Sequence, residues 1–303
     1  MRLLHLSDPH FFCPEALSVK RLLNKRILGL ANWLLKRGRR TSNEHLELLP
    51  PLISELGPKA LCITGDLAHL GQAEEFQRAK TWLECLEKQA PVKIVPGNHD
   101  IYLKECRNEM VKSFGRFFSL NHDTPASNTQ LETIFPQVDI VDDIALIGVS
   151  TAYPSGFYKA TGRIGAKQLA RLEELLESLS REGLFRVMLL HHPPVPGVVS
   201  KRKALEDHLP LMNLVRKKGV ELVLFGHSHI RFFKTANKDT GTPFLIGAPS
   251  ITSITQDVPK RAGLYSVDIE RAGGKWQVRL KDYILSQDRA AFQARSCDTF
   301  SFD

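Results

Sequence analysis

Five short polar motifs follow one another along the chain: Asp8-Pro9-His10, Gly65-Asp66, Gly97-Asn98-His99-Asp100, His191-His192-Pro193 and Gly226-His227-Ser228-His229. Between them they offer two Asp, one Asn and four His as metal donors. That mixture of hard oxygen and borderline nitrogen suits Mn, Fe, Zn, Co or Ni better than Ca or Mg, and Mn is favoured. Asp66, placed by Gly65 at a sharp turn of the backbone, could bridge two divalent cations about 4 Å apart. Two such ions polarise a phosphoryl oxygen, generate hydroxide near neutral pH and template in-line attack. The leaving oxygen still needs a proton. His99, held by its neighbour Asp100, is the candidate donor.

Singly, each motif has a plainer reading. Asp-x-His is most often a cap or a surface pair, Gly-Asp is mostly a turn, and the longer motifs can be polar loops. Their common order, each directly after an apolar run, is what points to a shared site. His191 and His192 compete for one ligand role. His5 reads as a core or inter-sheet histidine, and His69 as a substrate contact or a loop residue. His45, His122 and His208 have no motif around them.

The elements that must position these residues are legible from periodicity. Short apolar runs at 3–6, 60–63, 92–95, 144–149, 185–190, 222–225 and 244–246 predict strands buried on both faces. Helical patterns lie at 73–88, 105–118, 166–181 and 204–218, so the class is α/β with mixed sheets. On an extended segment i and i+2 point the same way, which lets Asp8 reach one metal with His10, as His227 does with His229. Beyond about residue 240, runs at 244–246, 264–267 and 276–280 alternate like antiparallel strands, expected to complete a second sheet packed on the first. A single domain is expected over 1–285, with residues 286–303 as a C-terminal tail.

Composition narrows the partners. The formal charge of +8, from 41 basic against 33 acidic residues, favours anionic ones. Aromatic residues interleaved with basic ones are sparse, so nucleic acid is disfavoured. Five scattered cysteines without a CxxC pair fit reduced thiols, and the first strand begins too early for a signal peptide, so a cytoplasmic protein is expected. No run is long enough to span a membrane. Residues 18–40 hold eight Lys or Arg and no Asp or Glu. Within them, 20–40 predicts a basic amphipathic helix with Lys25 and Lys36 opposite the leucines and Trp33 near the border. Such a helix either packs on the core or meets an anionic lipid surface, which would put the protein on the inner face of the membrane.

The ordered motifs closely resemble those of the calcineurin-like metallophosphoesterase superfamily, D-x-H, G-D, G-N-H-[DE], H and G-H-x-H, over about residues 1–250. The resemblance implies a four-layer α-β-β-α sandwich with the site at the strand ends. It implies one metal held by Asp8, His10, Asp66 and His229, and a second by Asp66, Asn98, His191 and His227. It makes His99 the leaving-group histidine and Asp100 its orienting partner. The family ligand lies two residues before the proline, which selects His191 and leaves His192 as a substrate-facing residue. The motifs are most similar to the bacterial cyclic nucleotide and glycerophosphodiester phosphodiesterases. The expected reaction is hydrolysis of a phosphodiester or pyrophosphate in a nucleotide or nucleotide-linked lipid. The insert gives a looser resemblance to the UDP-diacylglucosamine pyrophosphohydrolases of lipid A synthesis. A nuclease or a non-catalytic metal-binding scaffold ranks below these, the complete ligand set arguing against the latter. The oligomeric state is not read from the sequence.

Overall fold

A computed structural model describes residues 1–17, 25–122, 129–237 and 240–302. Two six-stranded sheets form the centre. The first has the order β12-β11-β10-β1-β2-β3 and the second β4-β5-β6-β7-β9-β8. In the first, β1 (Arg2–Leu6), β2 (Ala60–Ile63) and β3 (Val92–Ile94) run parallel. In the second, β5 (Ile144–Gly148), β6 (Phe185–Leu189), β7 (Leu222–Phe225) and β9 (Phe244–Gly247) run parallel, with β4 (Gln137–Val141) and β8 (Phe232–Lys234) as antiparallel edges.

The continuous apolar runs follow from burial on both faces. On β5, Ile144 and Leu146 point into the core between the sheets, whereas Ala145 and Ile147 pack with Leu172 and Leu176 of the helix Ala166–Ser180 and Leu211 and Val215 of the helix His208–Lys218. Ala73–Glu87 and Cys106–Phe114 supply apolar residues to the first sheet's cluster in the same way. The result is the expected four-layer α-β-β-α sandwich. Its open sides are closed differently. Between the edge strands β3 and β4, Lys93 pairs with Asp139, both buried. On the opposite side Phe300 and Phe302 of β12 pack on Phe244 and Phe185, with ring centroids 4.3 and 5.5 Å apart.

Three expectations are corrected. β10 (Gly263–Ala272) and β11 (Lys275–Leu285) do not build a second sheet; β10 pairs antiparallel with β1 and extends the first. The segment read as a tail contains β12 (Phe292–Phe302), paired along β11 as the sheet's edge. Only its two ends, Phe292 and Phe302, are buried, so its sequence carries no alternation to detect.

The basic insert is the third. Residues 18–24 and the side chain of Lys36 lie outside what is described; the remainder forms a short helix, Arg26–Asn32, followed by a wide turn at Trp33–Arg37. Its sidedness differs in part from that expected. Lys25 is buried, as is Arg26, and Leu30 packs on the core, whereas Ile27, Leu34 and Leu35 are 54%, 59% and 78% exposed. Backbone carbonyls of two loops accept the cations: Leu70 and Gly71 from Arg26, Ser155 and Lys159 from Lys25. Trp33 packs on Phe12 rather than standing at a border. Among the described residues no helix is long and apolar enough to cross a membrane.

Candidate metal centre

Each candidate ligand follows the C-terminal end of a parallel strand: Asp8 after β1, Asp66 after β2, Asn98 after β3, His191 after β6 and His227 after β7. Strand order therefore brings the ends of both sheets to one place. Asp8 Oδ2 accepts the His227 amide at 3.0 Å, and the Thr64 carbonyl accepts His191 Nδ1–H at 2.6 Å, each bond crossing from one sheet to the other. The close approach explains two glycines. A Cβ on Gly226 would stand 2.0 Å from Ser7 Oγ, and one on Gly97 would stand 2.3 Å from the Asp66 amide.

The paired ligands reach inwards by a route the sequence did not suggest. Asp8, His10, Asp66, His227 and His229 all have positive φ, between 48° and 63°. Asp8 and His10 thus converge through left-handed turns, not through an extended i, i+2 repeat. Non-glycine residues in that region each carry a cost on the order of 1 kcal/mol or more, repaid only where the surroundings hold them.

Two groups of donors result. Asp8, His10, Asp66 and His229 place one ligand atom each within 4.8 Å of one another. His10 Nε2 lies 3.1 Å from His229 Nε2 and 3.6 Å from both Asp8 Oδ1 and Asp66 Oδ2. On the other side of Asp66, His191 Nε2 is 3.3 Å from Asp66 Oδ1 and 3.2 Å from both Asn98 Oδ1 and His227 Nδ1. Second nitrogens fix which atom of each ring faces inwards: His191 Nδ1–H is committed to Thr64, and His227 Nε2–H donates to the Lys203 carbonyl at 3.0 Å. Asp8 Oδ1 is buried without an aligned hydrogen-bond donor. Imidazole nitrogens converging on one another and on an orphaned carboxylate oxygen are poorly satisfied by protons alone. Divalent cations fit both groups, with Asp66 between them.

Electrostatics agree with an anion-rich pair of pockets. Burial works to raise the Asp66 carboxyl, but His191, His99 and His10 around it hold it well below the usual carboxylate range. Burial works to lower His191, yet Asp66 and Asp8 lift it to about 9.

His99 stands beside this centre with Nε2 4.0 Å from Asp66 Oδ2, while its Nδ1–H donates to the His69 carbonyl at 2.5 Å. Asp100 does not orient that ring, contrary to expectation. Its buried oxygens accept the amides of Ala68 and Gly97, both at 2.9 Å, so it ties together the two loops that carry Asp66 and Asn98. His192 is corrected as well. It is fully buried, Nδ1 lies 2.8 Å from Thr151 Oγ1 and Nε2 3.3 Å from the Ala160 carbonyl. Burial beside His191 pushes it down to about 3, and its ring, 4.4 Å from that of His227, is closed off from a substrate. His69 is nearly inaccessible and stacks on His99 at 5.3 Å. His5, as expected, is a core histidine, bonded to Thr64 Oγ1. The sequence reading missed Tyr102, 5.4 Å from His99, and the carbonyls of Thr64, His69 and Lys203. Carbonyl roles leave no side-chain signature.

The sequence profile of the Calcineurin-like phosphoesterase family matches residues 1–231. The chain belongs to that family. It is therefore a metallophosphoesterase, a hydrolase acting on phosphoester bonds. Among curated relatives, a cAMP/cGMP dual specificity phosphodiesterase from Mycobacterium tuberculosis is 29% identical over 86% of this chain and 70% of that protein. A probable cyclic nucleotide phosphodiesterase from Rhodococcus erythropolis is 24% identical, covering 86% and 74%. A solved dimetal phosphatase from Danio rerio superposes with a TM-score of 0.64 over 100% of this chain and 99% of that one, at 14% identity, which places the fold within the metallophosphoesterase architecture.

Proposed function

We propose that this metallophosphoesterase hydrolyses a nucleotide phosphodiester, cyclic nucleotides foremost, with one divalent cation held by Asp8, His10, Asp66 and His229 and a second by Asp66, Asn98, His191 and His227. The observation that carries the reading is Asp66 itself. One oxygen lies 3.6 Å from His10 and the other 3.3 Å from His191, so a single buried carboxylate serves both groups of donors. Cations bound there would polarise the phosphoryl group and provide a nucleophile at neutral pH. The relatives named for cyclic nucleotide cleavage support the substrate class.

The protein's own residues supply the rest. His99 Nε2 gives its proton to the leaving oxygen as the P–O bond breaks. The neutral ring that remains keeps its proton on Nδ1, the tautomer already bonded to His69. Replacing His99 by Ala should lower kcat on cyclic AMP, whose alkoxide leaving group needs the proton, by about 10²–10⁴-fold, the usual share of general acid catalysis. Metal content, measured by plasma mass spectrometry, should be unchanged. Loss of metal would make His99 a ligand instead.

A nucleotide-linked lipid such as UDP-diacylglucosamine is a second reading, favoured by the exposed Ile27, Leu34 and Leu35 on the segment whose Trp33 packs on Phe12. Mn-loaded protein assayed on bis(p-nitrophenyl) phosphate, cyclic AMP and UDP-diacylglucosamine separates the readings. Cyclic AMP turnover without lipid turnover is the expected result, the reverse would replace it with the lipid reading, and no turnover of any substrate with metal bound would overturn the activity.

A further inference from the structure

The insert's two inward cations end on the loops that surround His99. Lys25 Nζ donates to the Ser155 carbonyl at 3.2 Å, to Ser155 Oγ at 3.1 Å and to the Lys159 carbonyl at 3.0 Å, and sits 5.0 Å from the centre of the Tyr102 ring. Tyr102 donates its hydroxyl to the Lys25 carbonyl at 3.3 Å, and the other side of the contact is His99, 5.4 Å between ring centres. Arg26 donates to the Leu70 and Gly71 carbonyls, both at 3.0 Å, in the loop whose His69 carbonyl holds His99 Nδ1. Trp33 rests on Phe12, and Phe12 meets the His69 ring edge-on at 5.2 Å.

Burying an ammonium costs several kcal/mol unless acceptors replace its water, and an outward lysine would avoid that cost altogether. Lys25 is 8% exposed and meets three oxygens and a ring face. Those acceptors belong to a segment more than a hundred residues away in sequence, beyond β5, while the ring belongs to the loop after His99. One side chain therefore ties the loop at 155–159 to Tyr102, whose ring lies against one side of His99. We propose that Lys25 is a positioning residue for the reaction: together with Tyr102 it fixes the His99 ring at the place from which it protonates the leaving oxygen.

The proposal rests on the reading of His99 as proton donor, and the test separates the two. Phosphodiesters of equal charge but different leaving groups are compared on the metal-loaded protein: bis(p-nitrophenyl) phosphate, whose nitrophenolate departs readily without a proton, and diphenyl phosphate, whose phenolate, with a pKa of about 10, needs one. Lys25→Met should lower kcat on diphenyl phosphate by about 10-fold to 10²-fold, the scale of a small misplacement of a reacting group. On bis(p-nitrophenyl) phosphate the drop should stay within about twofold, with KM and metal content unchanged. Tyr102→Phe keeps the ring and removes the hydroxyl that bonds the Lys25 carbonyl, so it should show the same leaving-group selectivity at smaller size, and it carries the test if Lys25→Met does not fold. Equal losses on both diesters, or none on either, would overturn the inference. His99→Ala is the reference. If it too loses equally on both, the proton-donor reading fails; if it discriminates while Lys25→Met and Tyr102→Phe do not, only the positioning role falls.

Discussion

Asp66→Asn should strip the centre of metal and lower kcat/KM by about 10³-fold or more. The carboxamide keeps the shape but loses the charge, and of its two ends only one remains an acceptor, so it cannot serve His10's side and His191's side together. Metal assistance contributes several kcal/mol to a transition state, and each 1.36 kcal/mol is tenfold in rate. The neighbouring geometry sharpens the expectation. Asp66 Oδ1 also accepts the His99 amide at 2.8 Å, so the substitution can present an NH₂ to another donor and displace the loop that carries His99 as well. Mass spectrometry of the purified variant should find fewer than one cation per chain, against two in the parent protein. Far-ultraviolet dichroism should be unchanged, because no strand hydrogen bond depends on this side chain. Two retained cations would show that the groups are not joined through Asp66.

The motifs were readable because chemistry and placement coincide in them: each polar cluster follows an apolar run, and parallel strands deliver such clusters to one edge. The conformation that makes them converge was not readable. Asp8 and His10 meet through positive φ, and nothing in Asp-Pro-His distinguishes a left-handed turn from an extended one. Adjacency misled for Asp100. Being next to His99 in sequence suggested that it orients the ring, but its oxygens satisfy the amides of Ala68 and Gly97 instead. The insert failed for a related reason. A hydrophobic period assigns the apolar side to the interior, yet a cation can be drawn inwards where loop carbonyls converge on it, as those of Leu70 and Gly71 do on Arg26 and those of Ser155 and Lys159 on Lys25. Edge strands were the remaining gap. β4, β8 and β12 each have a face or a middle open to solvent, so their sequences show neither continuous burial nor clean alternation.

Lys93→Met should destabilise the protein by about 3–5 kcal/mol, a large share of the 5–15 kcal/mol that holds a typical domain folded. Lys93 is fully buried on β3 and its ammonium donates to the Phe118 carbonyl at 3.0 Å, to Gln137 and to Asp139. Asp139, on β4, also accepts Ser119 Oγ at 2.8 Å and the Leu120 amide at 3.1 Å. The methionine leaves that carboxylate charged and buried with no cation. The net contribution of the pair is small, because burial lowers the Lys93 ammonium from its ordinary value even beside Asp139, which offsets what the depressed Asp139 carboxyl contributes. Lys93→Met combined with Asp139→Leu should therefore recover most of the loss. Acid supplies an independent check. In the parent protein burial works to raise the Asp139 carboxyl, but Lys93 and the hydrogen bonds hold it below the ordinary range. A depressed carboxyl stabilises the fold above its unfolded pKa, about 3.9, and that contribution disappears as the pH falls through the folded value. In Lys93→Met the sign reverses: the isolated carboxyl is raised, and protonating it relieves the fold. The stability gap between parent and variant, measured by urea unfolding at pH 7 and again near pH 4.5, should narrow on acidification. A gap that is constant with pH, or a double variant as weak as the single one, would mean that the edges of the two sheets are joined by packing and not by this ion pair.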